Sequence, residues 1–413
     1  MQKIIFSTLL TVSLSLLQAQ ETVLPAKEQK GSFYLTNATI HIGNGKVIQN
    51  GTIKVTNGKI EAVGDNIAVP AGADNVTNLK GQDLYPGLIL PSSTLGLNEI
   101  SSVRATQDAR EIGEMNPSVR SIVAYNSDSK VINTLRSNGI LLANVVPQGN
   151  FVAGTSSVVQ LDAWNWEDAA YKTDAGLHVY MPSLLPRPSF GGRGGGFGMG
   201  NFGAQGGDPV KEGLEKMEGL KTFFREAKAY QQLTDRKATN LKFEAVKDLF
   251  EKKQKLYMHA TTAKQILVAL DFVKEFGFDM VIVGGSESYQ VADLLKQHDV
   301  SVILQQPHSL PTAGDDDVDQ PYKTAAQLKK AGVLFSISDD DSQTRGRNLA
   351  FNAGTAAAYG LDKEEALAAI TLNAARIMGV ADKTGSIEVG KDANIVVSSG
   401  DLLDMRNSNV TAA

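Results

Sequence analysis

The sequence predicts an α/β protein: a (β/α)8 barrel of the TIM type, joined to a small composite β-sandwich formed by both chain ends. Three observations predict it. Short strand-like segments separated by turns fill residues 31–85 and 384–413. Between them, residues 86–383 alternate buried-type strands with amphipathic helices, and repeated βα order argues for a parallel sheet with helices outside, closed into a barrel. The length of 413 residues accommodates one barrel of about 250 residues plus a smaller unit.

The N-terminal strands are Phe33 to Leu35 and Ala38 to Ile42, punctuated by Gly43-Asn44-Gly45. Thr52 to Val55 alternates with period two, Asn57-Gly58 is a strong hairpin turn, and Lys59 to Val63 returns from it. At the other end, Gly385 to Val397 has the same character. Neither stretch has enough strands for a stable sheet by itself, so the economical reading joins them. Val410 to Ala413 reads as the start of a further strand, as in a C-terminally truncated small domain.

In the barrel region, Gly139 to Val146 is a strand. Lys255 to His259 is another, followed by a helix from about Ala263 to Phe276. Met280 to Val283 precedes a helix around Tyr289 to Gln297, and Val300 to Leu304 precedes a loop and a helix around Thr324 to Ala331. Val333 to Ile337 precedes helices near Asn348 to Tyr359 and Lys363 to Ile370. Leu214, Met217, Leu220, Phe224 and Ala227 fall at helical spacing and read as a core-facing stripe. Ser189 to Gly207 is glycine-rich. It lacks the strand, helix and lysine that a phosphate-cradling loop needs, and reads as a surface insertion.

Composition narrows the function classes. Hydrophobic residues make up 42% and charged residues 21%, as in a globular protein. A net charge of −5 gives no electrostatic reason to expect nucleic acid or an anionic membrane. Lys3, the apolar run Ile4 to Leu16 and Leu17-Gln18-Ala19 read as a signal peptide over residues 1–19, followed by a linker over 20–30. The run is shorter than the ~20 residues that span a bilayer, so the expectation is a secreted or periplasmic chain with no transmembrane anchor after cleavage. The absence of cysteine excludes disulfides, thiolate metal sites and a cysteine nucleophile.

Reactive groups in such a barrel project from the C-terminal strand ends. Strand one ends at Ser92 and Thr94. The later ends carry His259, Gly284-Gly285, His308 and Ser338-Asp339-Asp340-Asp341. Tyr85-Pro86-Gly87-Leu88-Ile89, Met258-His259-Ala260, the run Ala366 to Ala375 and the run Gly385 to Asn394 together resemble the amidohydrolase superfamily, in its imidazolonepropionase-like branch. The resemblance covers residues 31–413. It implies a metal-dependent barrel that hydrolyses C–N bonds of amides, cyclic amides or small dipeptide-like substrates, with zinc lowering the pKa of a bound water.

Carried over by resemblance, His259 stands at the strand-five histidine and Asp339 at the strand-eight aspartate, making both candidates for metal binding and catalysis. The two strand-one histidines are replaced by Ser92 and Thr94, and Leu90 replaces the usual acid. The strand-six histidine position falls near Gly284-Gly285, and Lys172 is a weak candidate for a bridging lysine. The expectation is a degenerate site that binds one divalent zinc weakly or not at all.

Asp340, Arg345 and His308 are candidate substrate-binding residues. A cluster of Asp339, Asp340, Arg345 and His259 could hold a small zwitterion, and a solvated ion-pair network is the competing reading. His41, His178 and His298 read as structural, and Glu287 as a helix N-terminal carboxylate. Two function classes therefore stay open: a C–N hydrolase with a reduced site, and a catalytically inactive relative that binds a small molecule or a partner. Self-association into a homo-oligomer stays open as well.

Overall fold

The computed structural model describes residues 25–73, 75–186, 208–235, 238–339 and 344–413. The expected signal peptide, the whole glycine-rich insertion, and Asp340 with Asp341 lie outside the described residues.

Both chain ends contribute to one seven-stranded sheet. Its strands are β1 (Ser32–His41), β2 (Val47–Thr56), β3 (Lys59–Gly64), β4 (Val76–Asn78), β5 (Asp83–Pro86), β14 (Ile395–Ser398) and β15 (Val410–Ala412). The order is β15-β14-β5-β1-β2-β3, with β4 beside β1. The Asn57-Gly58 turn joins β2 to β3 with φ of 49° and 73°, the left-handed pair that matches the twist of a two-residue hairpin. Ile40, Ile53, Val55, Ile60 and Leu84 form its core together with Ile387 and Val397 from the far end of the chain.

Eight further strands make the barrel sheet in chain order: β6 (Leu88–Ser93), β7 (Ile140–Val145), β8 (Val152–Gln160), β9 (Ala170–Tyr180), β10 (Lys255–Ala260), β11 (Met280–Gly284), β12 (Ser301–Leu304) and β13 (Phe335–Ile337). The ends of the sheet approach each other where the Ser338 hydroxyl donates to the Ser92 carbonyl at 3.0 Å. The barrel with an additional small domain matches the expected fold, with one departure inside the barrel. β8 pairs antiparallel with both β7 and β9, so seven strands run in parallel and the third is reversed. The cause is local: β8 and β9 form a hairpin rather than a βα unit. β8 is almost wholly buried, so no alternating pattern marked it in the sequence.

The helices follow the predicted order. Ala263–Phe276 starts with a reciprocal Thr262–Gln265 cap and stops at Gly277, whose φ is 69°. Pro209–Gln231 buries Gly213, Met217, Leu220, Phe224 and Ala227. Leu214, expected in this stripe, is 43% exposed instead, because the inward row begins one residue earlier. Gly213 fits there because a Cβ would lie 2.7 Å from Leu184 Cδ2.

One barrel end is plugged. Ala374, Ala375 and Met378 from the helix Leu372–Met378 pack on Ile89, Leu142, Val158 and Ala175. Ile377 packs on Tyr257, Val281, Val283 and Ile303. Tyr257 also donates its hydroxyl to the Ile377 carbonyl at 3.3 Å. Outward residues such as Leu256, Met258, Ile282 and Phe335 join the helical layer in the largest core cluster. The opposite end, where the strands terminate, stays free to carry chemistry.

Candidate functional site

Because Leu177, Val179, Leu256 and Met258 face the helices, period two turns Gly176, His178 and Tyr180 of β9 and Tyr257 and His259 of β10 toward the barrel axis. Register then stacks them in pairs. Tyr257 lies opposite His178 with ring centroids 4.6 Å apart, and His259 lies opposite Tyr180 at 3.8 Å, both pairs stacked with nearly parallel planes. Gly176 makes room for Tyr257, since a Cβ there would sit 2.0 Å from the ring.

His178 Nδ1 and His259 Nε2 are 2.9 Å apart, so one nitrogen donates the proton that the other accepts. Burial pushes the His259 imidazole down from 6.5 to about 3. His178 is also well below the ordinary range, through burial first and then the neighbouring imidazole. Both rings are neutral at physiological pH. His178, expected to be purely structural, is therefore the direct partner of the candidate His259. The signal that could have found it is the inward row Gly176-His178-Tyr180, which is legible only once β9 is recognised as a strand.

The other strand ends are built differently. At β6 the backbone turns at once: Leu97 N donates to Thr94 O at 2.9 Å, and Leu95 N donates to the Ser93 hydroxyl at 3.1 Å. Ser92 and Thr94 are half-buried at this turn. At β11, Gly284 and Gly285 have φ of 102° and 55°, and Gly285 N donates to Ala260 O at 2.8 Å. A Cβ on Gly285 would lie 2.8 Å from Val302 Cγ1, so a larger residue needs a different backbone path.

Beyond β13, Asp339 is 4% exposed and accepts from Asn352 Nδ2 at 3.0 Å, which ties it to the helix Leu349–Ala358. No hydrogen bond or ion pair among the described residues links His259 to Asp339. Nor do three His, Asp or Glu side chains group as they would around a metal ion, among the described residues.

The remaining candidates lie away from this column. Arg345 and Arg347 are exposed on the turn Arg345–Asn348. His308 is exposed, with Nε2 3.2 Å from the Thr355 hydroxyl and its ring edge-on to Tyr322. Lys172 lies eight residues before Tyr180 on β9, about 26 Å along the strand. Its ammonium donates to the Met378 and Gly379 carbonyls at the plugged end. Glu287 accepts from Ala263 N at 2.7 Å, so it serves the N-terminus of the helix Ala263–Phe276 rather than one of its own. His41 is structural as expected. Its Nδ1 meets Glu364 at 2.6 Å, and its ring stacks on Tyr85.

The amidohydrolase family profile matches residues 153–412, well over half of the chain. The chain belongs to the amidohydrolase family. Members of this family generally bind a divalent metal such as zinc. A solved amidohydrolase from Thermotoga maritima superposes with a TM-score of 0.76 at 28% identity, covering 92% of this chain and 96% of that one. The imidazolonepropionase of Thermoplasma volcanium is 40% identical over 82 residues, and that of Flavobacterium johnsoniae 35% over 81 residues. Each match spans 19% of this chain and 20% of the relative. Within the amidohydrolase family the likeness is thus to the imidazolonepropionase-like branch. No helix among the described residues of this family member is long and apolar enough to cross a membrane.

Proposed function

We propose that this amidohydrolase-family chain is secreted or periplasmic, has kept the barrel but not zinc-dependent C–N hydrolysis, and serves to bind a small molecule. The observation that carries the reading is the make-up of the strand ends. Zinc requires neutral imidazoles or carboxylates at three or four converging positions. The positions in question hold Ser92, Thr94 and the Gly284-Gly285 pair, and protonated hydroxyls are weak ligands. Of the two retained groups, His259 has Nε2 facing His178, and Asp339 accepts from Asn352. This donor set does not fit a zinc of the family's kind, and no reaction step is routed through one.

A second reading is supported by one observation, the His178–His259 pair beside Tyr180 at the strand ends. A neutral imidazole there could take a proton from water in a metal-free hydrolysis of an amide or cyclic amide. A value near 3 makes His259 a weak base at neutral pH, since general bases work best near the ambient pH.

One assay separates the two. Hydrolysis of hydantoin-like rings and dipeptides is followed with added zinc or manganese, for wild type, His259→Ala and Asp339→Asn. The binding reading expects no turnover above background in any of them. Wild-type turnover abolished by either substitution supports the hydrolase. The N-terminal sequence of exported protein tests secretion, and the expected mature chain begins at Gln20.

A further inference from the structure

A cavity of about 250 Å³ lies beside the barrel mouth, away from the histidine column. It is bounded by the ends of β11, β12 and β13, by the loop 305–312, and by the helices Gln320–Lys330 and Leu349–Ala358. The loop is the one whose His308 stood out in the sequence. The neighbours of His308 line the space, while His308 itself turns outward to Thr355.

The lining has a definite chemical character. Leu304, Ile337 and three prolines supply apolar wall, and Gln305 and Gln306 supply amides. Among the described residues Asp316 is the one carboxylate of the lining, which holds no lysine, arginine or histidine. The carboxylate is held in place, with Oδ1 accepting from the Tyr289 hydroxyl and Oδ2 from Ala313 N at 3.4 Å. It has no ion-pair partner among the described residues. The nearby Lys323 pairs with Asp317 at 3.1 Å and with Asp319 at 2.7 Å instead. Each carboxylate oxygen keeps acceptor capacity beyond these bonds.

A fixed, uncompensated carboxylate on the wall of a partly apolar space attracts a cation and repels an anion, and does so more strongly than in open water. The volume is slightly below the ~300–1,000 Å³ of sites for drug-sized ligands, which sets the ligand at small-metabolite size. We propose that this cavity is a binding site for a small primary amine with a compact apolar body, its ammonium on Asp316 and its hydrocarbon against Leu304 and Ile337. The proposal deepens the binding reading above by naming a ligand class.

The test uses the full chain and three probes of matched shape: isoamylamine, 4-methylpentanoate and 4-methylpentanamide, titrated by calorimetry. The expected result is at least ten-fold tighter binding of isoamylamine than of 4-methylpentanoate, with the amide between them. Asp316→Asn should reduce the preference to less than two-fold. Asp317→Asn removes the same charge outside the cavity and should leave it unchanged. Methyl NMR of the wild type needs no variant, and isoamylamine should shift the Leu304 and Ile337 methyl signals. Absence of amine binding at millimolar concentration, equal binding of amine and carboxylate, a preference that survives in Asp316→Asn, or methyl shifts confined elsewhere would each overturn the proposal. A zinc-loaded, hydrolytically active protein would instead sink the binding reading and leave the cavity's amine preference standing.

Discussion

The two ends of the barrel differ in what their residues are for. At the plugged end, Ala374, Ala375, Ile377 and Met378 fill the space under Ile89, Leu142, Val283 and Ile303. Gly385, at φ 89°, allows the following chain to pass, since a Cβ there would lie 2.6 Å from Ala375 Cβ. Two of the stretches that carry the family resemblance reach this end, through Ala374, Ala375 and Gly385. At the open end stand Ser92, Thr94 and Gly284-Gly285, the positions on which the proposed loss of zinc chemistry rests. Packing tolerates few changes because a core has one good filling. The half-buried hydroxyls of Ser92 and Thr94 at the strand end can change with less effect on stability. A barrel can therefore keep its shape while losing its chemistry.

Two histidines carry the same contrast. His41, where the small sheet meets the barrel, faces Glu364 at 2.6 Å and Asp83 at 3.6 Å. Burial alone would lower it, but hydrogen bonds and charge attraction from Asp83 and Glu364 outweigh burial and raise it to about 9. His259 has burial and no carboxylate partner among the described residues, and falls to about 3. Charged partners surround the histidine at the junction of sheet and barrel, while the mouth histidine meets a neutral ring.

The largest effect should come from the plug. Tyr257→Ala removes a fully buried ring and its bond to Ile377, and is expected to cost about 3–5 kcal/mol in urea denaturation. A cost near zero would break the contrast. Next comes the His41 junction. A group whose folded value is raised contributes stability fully below pH 6.5 and loses it as pH rises through about 9. His41→Gln should therefore destabilise by about 3 kcal/mol near pH 6 and by little above pH 9.5, read from the wild-type and variant melting curves across that range. An equal deficit at both pH values would show that the imidazolium is not what the carboxylates hold.

A smaller effect is expected from rebuilding the mouth. Ser92→His combined with Thr94→His should tighten zinc binding by about 100-fold over wild type, the scale on which even supporting groups act at metal sites. No gain would mean that more than ligand identity separates this mouth from a working one. Smallest of all, Ser92→Ala and Thr94→Ala should each change stability by about 0.5 kcal/mol or less. Larger losses would make the strand-one tip a structural element and blur the contrast.

The fold was legible because its signals are local. Asn57-Gly58 marked one hairpin, and the helix expected from about Ala263 to Phe276 has those bounds in the structure. The reversed β8 was not legible, because a wholly buried strand carries no alternation. The site was legible only in part. His259 and Asp339 stood out as residue types at strand ends, but the His178 contact depends on register between β9 and β10. The outward turn of His308 depends on a loop path that no short motif specifies.

The central claim is that the open end has lost the family's zinc chemistry while the plugged end keeps its fold. The most direct test is the metal content of protein purified without chelator, measured by elemental analysis alongside protein concentration. The account predicts far less than one equivalent of zinc, removed by simple dialysis. One tightly held equivalent per chain would contradict it.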